Sequence, residues 1–230
     1  MAYEGLAPMI ERVKMVTGFI ATPNRDVATV FDLEDSYVGS PQMAACVERM
    51  KADPEMGRCI AEGYVTPDYD PDALIRLPPD TLGHAYARLL KNFNYAAHFY
   101  RDRELRTDAD YCIMRMRKTH DIHHAVTGFV PRGHGETGVI AVSAYQFGYP
   151  AYLLIDLAAM ALSVHPGGAF QQTFDWIGVG MKMGHDCKPL AGIKWEDGWD
   201  KPLAVWRQEL GITPVMSGDT SWHETPGMVA

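Results

Sequence analysis

Apolar residues along this chain recur at three- and four-residue spacing. Met9, Ile10, Val13, Val16 and Ile20 make one stripe, Val27, Val30 and Phe31 a second, and Met43, Cys46, Val47 and Met50 a third. That spacing gathers side chains on one face of a helix, whereas a half-buried strand needs alternation. No alternating run rich in Val, Ile and Thr is present. Small polar residues stand directly before proline at Thr22-Pro23, Ser40-Pro41, Asp53-Pro54, Thr66-Pro67 and Asp70-Pro71. A capping side chain with proline at the first helical position marks a helix start.

Farther along, the connector Leu77-Pro78-Pro79-Asp80-Thr81-Leu82-Gly83 leads into a stripe of Tyr86, Leu89, Leu90, Phe93 and Ala97, which predicts a helix over 81–100. His84 and His98 read there as packing or surface residues. A charged linker over 101–110 overlaps the start of a helix over 107–127. A partner helix follows over 135–147, then an apolar helix to 164 and an amphipathic one over 169–183 carrying Phe170, Phe174, Ile177 and Met181. His185-Asp186 reads as loop. The last helix ends at Leu210-Gly211, with glycine as a plausible C-cap. The pattern therefore predicts one all-α domain over 1–212, a single-domain bundle of about eight to ten helices. A polar tail over 213–230, with glycine and proline, is expected to be loose.

Composition narrows the class. Hydrophobic residues make up 47% of 230, enough for a sizeable core. The most apolar stretch, 151–164, is too short to span a bilayer and contains Asp156. A net charge of -8 argues against nucleic-acid binding. The first residues carry no basic n-region and no arginine-rich presequence, so no signal or transit peptide is read. Cys46, Cys59, Cys112 and Cys187 form no Cys-x-x-Cys and read as reduced, buried thiols of a cytoplasmic protein. Thirteen methionines fit ordinary core filling or an apolar cavity.

Candidate chemistry sits in His120-Asp121-Ile122-His123-His124, with Glu136 following after eleven intervening residues. His120 and His124 share a helix face, and Asp121 borders it. The same face carries Ile113 and Met116, so the histidines continue a buried stripe. Glu136 stands at the start of the next apolar run, after a glycine-bounded turn. Two imidazoles and two carboxylates from adjacent helices make a divalent-metal set: His120, Asp121, His124 and Glu136. The alternative is a buried polar network, with Arg117 pairing Asp121 four residues on, and with Glu136 an ordinary first-turn acid favoured by the helix dipole. A zinc peptidase would carry Glu where Asp121 stands, which argues against that class. His123 points away from the His120 face and reads as packing or an outer partner. His134 lies in the turn, within possible reach of the site.

These residues resemble a known family. His-Asp-x-x-His, eleven residues, then Glu is similar to the signature of the fourth Coq protein of ubiquinone (coenzyme Q) biosynthesis. The connector from Leu77 to Gly83, the glycines Gly128 and Gly135, and Gln146, Gly148 and Pro150 resemble the family as well. So do Trp195-Glu196-Asp197-Gly198-Trp199-Asp200-Lys201-Pro202-Leu203 and Trp206-Arg207-Gln208-Glu209-Leu210-Gly211-Ile212. The resemblance covers residues 71–212, and residues 1–70 only through their helical character. Two positions depart: eukaryotic members tend to carry Lys at Ile140 and a second acid at Ser143.

The resemblance implies a helical protein holding a divalent metal through His120, Asp121, His124 and Glu136. Zinc is the first choice, with iron, cobalt, manganese or magnesium as alternatives. It also implies an apolar tunnel for a polyisoprenoid tail, and oxidative replacement of the ring carboxylate of a prenylated 4-hydroxybenzoate by hydroxyl. The implied partners are the prenylated quinone precursor, other quinone biosynthesis proteins and the inner-membrane surface, approached peripherally, and a homodimer is compatible. Phe129-Val130 and residues 145–160 are candidates for tail contact, with plain core as their alternative. A non-catalytic lipid-binding scaffold that organises the biosynthetic proteins is the competing reading.

Overall fold

The computed structural model describes residues 5–22, 26–67, 69–94, 100–225 and 228. Among them are eleven α-helices: α1 (Leu6–Ala21), α2 (Ala28–Ser36), α3 (Pro41–Ala52), α4 (Pro54–Glu62), α5 (Pro71–Leu74), α6 (Leu82–Asn92), α7 (Asp108–Thr127), α8 (His134–Phe147), α9 (Pro150–Ser163), α10 (Phe170–Asp186) and α11 (Leu203–Leu210). Only two isolated bridges, Thr81 with Pro202 and Phe129 with Ser221, break the all-helical pattern of the described residues. The count exceeds the expected range because α5 is a single capped turn of four residues.

Three of the Xaa-Pro signals start helices as predicted. Ser40, Asp53 and Asp70 accept from the backbone N–H of Met43, Met56 and Asp72, each with proline next in the chain. Thr66-Pro67 starts none, because the Thr66 hydroxyl instead accepts from buried Arg115 at 2.7 Å. Pro23 lies outside the described residues, and α2 begins at Ala28, whose N–H is taken by Asp26. The helix predicted over 81–100 stops at Asn92, with Asn94 in the left-handed region at φ 53. Ala97 and His98 lie outside the described residues. His84 Nδ1 bonds Leu77 O at 3.1 Å.

Two further expectations need correction. His185-Asp186 is helical, because α10 runs on to Asp186, supported by a Lys182–Asp186 ion pair and a Tyr145–His185 hydrogen bond. In α1 the expected stripe is only partly buried. Val16 is in the core, Ile10 and Val13 face outward, and Arg12 is buried instead against Ser36.

Helix α7 lies at the centre, with sixteen of its twenty residues buried. A capping box starts it: Thr107 accepts from Asp110 N–H, and the Asp110 carboxylate accepts from Thr107 N–H. Gly128, at φ 87, ends it. Helix α8 packs along α10 with the two backbones nearly touching. A Cβ on Gly180 would lie 2.1 Å from Gly138 O, and one on Gly184 would lie 2.7 Å from Val142 O. Helix α9 covers both, and α1 lies on α9. Phe129 and Val130 are wholly core, whereas Tyr145, Leu153 and Leu157 are exposed. No described helix is long and apolar enough to cross a membrane. All four cysteines are free and buried, and burial pushes the Cys46 thiol up to about 12.

Part of the tail expected to be loose packs against the domain in the described residues 213–225. Val215, Thr220, Ser221 and Trp222 are buried, and Trp222 is held by backbone and side-chain bonds to the end of α7. The backbone groups of Thr220 and Trp222 that face inward pair with the turn after α7 and so do not need water.

Buried charges tie the N-terminal helices to α7. Arg117 Nε bonds Glu34 at 2.6 Å and Nη2 bonds Asp35 at 2.7 Å, while the Tyr149 hydroxyl donates to Glu34 at 3.0 Å. Arg117 therefore does not pair with Asp121. Arg117→Met would leave Glu34 buried without its cation, so we expect a loss of about 3–5 kcal/mol in urea unfolding. Adding Glu34→Gln should recover much of it. A double variant no more stable than the single one would show that charge burial is not the cause.

Candidate metal centre

The last two turns of α7 put His120 and His124 on one face, and the turn over 128–133 brings the start of α8 opposite them. Glu136 projects from the first turn of α8. Its Oε2 lies 3.2 Å from His120 Nε2 and 3.3 Å from His124 Nε2, and the two Nε2 atoms are 3.3 Å apart. One donor atom from each of the three residues lies within 4.8 Å of the others. His124 is completely buried, whereas 36% of the Glu136 side chain and 18% of the His120 side chain remain open, so access is from their side.

His124 Nδ1 lies 3.0 Å from Phe129 O. A carbonyl can only accept, so Nδ1 carries the proton and Nε2 presents its lone pair to the cluster. Two imidazole nitrogens and a carboxylate oxygen this close need a shared positive charge between them. Burial opposes protonation of His120, but its bond to Glu136 and the nearby carboxylates raise its pKa overall. Burial likewise disfavours ionised Glu136, yet the two imidazoles hold its carboxyl well below the usual range. The donor chemistry fits a divalent cation taking imidazole nitrogen and carboxylate oxygen.

Asp121 is buried beside this group but outside its three-donor set. No side-chain hydrogen bond joins it to another described residue, and burial raises its pKa. His123 is buried on the far face, edge-on to Trp195 at 6.1 Å, with its pKa lowered well below the ordinary value by burial. His134 turns away to Thr173, 3.3 Å from its hydroxyl. Ile140 and Ser143 lie buried on α8. Spacing along the chain did not point to Tyr152 of α9, whose ring packs edge-on to His120 at 5.8 Å. It lies on a separate helix with no polar neighbour to mark it in the sequence.

A two-histidine, one-glutamate cluster between adjacent helices of an all-α chain defines the class. Residues 13–216 match the family described as coenzyme Q (ubiquinone) biosynthesis protein Coq4, and the chain belongs to that family. A Culex quinquefasciatus protein named mitochondrial ubiquinone biosynthesis protein COQ4 homolog 1 is 28% identical over 180 residues, 76% of this chain and 64% of that protein. The Rattus norvegicus mitochondrial COQ4 homolog is 30% identical over 182 residues, 73% of this chain and 64% of that protein. The chain thus spans a little under two thirds of the length of these two relatives. A crystal structure of a candidate ubiquinone biosynthesis protein from Nostoc punctiforme superposes with a TM-score of 0.80 at 28% identity, covering 91% of this chain and 99% of that one. The family expected from the motif and its flanks is the family found.

Proposed function

We propose that this protein is a metal-dependent oxidative decarboxylase that releases the ring carboxylate of a prenylated 4-hydroxybenzoate-type quinone precursor as carbon dioxide and puts hydroxyl in its place, with dioxygen as the oxidant that takes up the two electrons. The observation that supports it most is the close approach of His120, His124 and Glu136 donors in a chain of the Coq4 family. His120, His124 and Glu136 would hold the ion, and Asp121, buried next to them outside the donor set, would add negative charge beside it. A divalent metal supplies a Lewis acid for the phenol or carboxylate oxygen. The chain itself supplies orientation: Phe129 O fixes the His124 tautomer, and Tyr152 walls His120 from the side of α9. The open edge at Glu136 and His120 is the side from which a head group would approach. The protein would work at the cytoplasmic face of the inner membrane, peripherally bound, with other quinone biosynthesis proteins.

The test is turnover of a prenylated hydroxybenzoate before and after chelation. Loss on chelation and return on adding metal is expected. Turnover that persists without metal overturns the enzymatic reading. The outward Leu153 and Leu157 of α9, with Val164 just past its end, favour a second reading, a lipid-binding scaffold without catalysis. In that case Glu136→Ala would lower stability and leave quinone yield intact.

A further inference from the structure

The family match ends at residue 216, yet the chain goes on to cross the end of α7. Val130 N–H donates to Thr220 O at 2.7 Å and Trp222 N–H to Gly128 O at 3.0 Å, which pairs Ser221 with Phe129 in an antiparallel bridge. The indole Nε1 of Trp222 donates to His124 O at 2.8 Å. Thr220, Ser221 and Trp222 are all buried, so this is an internal strap.

The strap meets the metal cluster through one peptide group. Phe129 C=O, which takes the Nδ1 proton of His124, and Val130 N–H, which is held by Thr220, belong to the same planar unit. With its N–H tied to the strap and its oxygen tied to His124, that plane cannot rotate without breaking a bond at one side. Trp222 anchors the arrangement from behind as a second donor to the His124 carbonyl, which also accepts the Gly128 N–H at 3.0 Å that closes the helix. Gly128 lets the chain leading into the strap come this close, since a Cβ there would lie 2.3 Å from Val215 O. Arg207 caps the same helix end, bonding Val126 O at 2.8 Å and Ala125 O at 3.2 Å, and its guanidinium reaches His223 of the strap at 3.1 Å.

We propose that residues 217–225 are a built-in outer support of the metal centre, with Trp222 the positioning residue that aims His124 Nε2 at the ion. The proposal rests on the metal reading above. Partners of a ligating histidine fix its tautomer and ring direction, and losing one lowers metal affinity by about 10–100-fold.

Cobalt(II) is a suitable probe, because both its affinity and its visible absorption report the ligand field. Trp222→Phe keeps the ring and removes the donor, and Trp222→Ala removes both. Trp206→Phe is the matched control, losing an indole bond to Gly198 O at 3.1 Å that lies outside the strap. In the full chain we expect about ten-fold weaker cobalt binding and an altered visible band for Trp222→Phe. Trp222→Ala should be weaker still, and Trp206→Phe should match the wild type in both. In metal-free protein, the protected Nδ1–H resonance of His124 should be present in the wild type and exchange-broadened in Trp222→Phe. A folded Trp222→Phe with wild-type cobalt affinity, spectrum and Nδ1–H signal overturns the strap alone. A wild type that binds no cobalt overturns the metal reading beneath it.

Discussion

His124→Ala should lower divalent-metal affinity by more than about 100-fold, beyond the loss expected for a supporting residue. His124 is the fully buried member of the cluster and the one whose tautomer is fixed, so its Nε2 is the best-aimed of the three donors. Alanine leaves His120 and Glu136, too few to hold an ion against water. Zinc titration calorimetry measures the change, and metal content after dialysis checks it. Asp121→Asn is the informative contrast, expected to change affinity by less than about ten-fold because Asp121 stands outside the three-donor set. Binding in the wild type should also weaken as pH falls, because protons compete for the two imidazoles. Zinc affinity unchanged in His124→Ala would remove the centre from consideration.

The second large effect is at Asp156. Both carboxylate oxygens are buried without a hydrogen-bond partner among the described residues, and burial pushes the group up to about 8 from 3.8. Below about pH 4 the folded and unfolded chains both hold this proton. Between that value and about 8 the unfolded chain has released it while the folded chain keeps it. Stability from this group therefore falls by roughly 1.4 kcal/mol per pH unit across the window and levels off above it. Asp156→Asn removes the linkage. We expect the variant to be more stable by about 3–5 kcal/mol at pH 8, with little gain near pH 4, as read by urea unfolding at both. Equal pH slopes for the two proteins would mean that the Asp156 carboxyl is solvated or paired in solution.

Much of this was legible in the chain because the signals are local. Helical spacing, Ser40-Pro41 and Asp53-Pro54, and the terminal Gly148 and Gly211 report only on nearby backbone, and there the elements form where predicted. His120 and His124 are one helical turn apart, so their convergence follows from geometry alone. Glu136 needed the glycine turn to fold back, and it does. Asp121 shows the limit: adjacency to His120 puts it near the site but one residue around the helix, outside the set. What spacing cannot show is what arrives from far along the chain. Glu34 meeting Arg117, Tyr152 flanking His120 and Trp222 capping His124 are contacts between separate elements. The packing of Val215 and 220–222 within the tail was hidden for the same reason. The tail's glycine, proline and polar residues are what a loose end uses, and also what a segment needs to bond another backbone closely.

The glycine-lined seam between α8 and α10 sets how the centre can respond to a ligand. With Gly180 against Gly138 O, and Gly184 against Val142 O, the two helices have no side-chain cushion to slide on. Glu136 rides on that locked pair. Any widening of the mouth therefore falls to other walls, and a single added methyl at position 180, pressed against Gly138 O, would be felt two residues away as a misplaced Glu136 carboxylate.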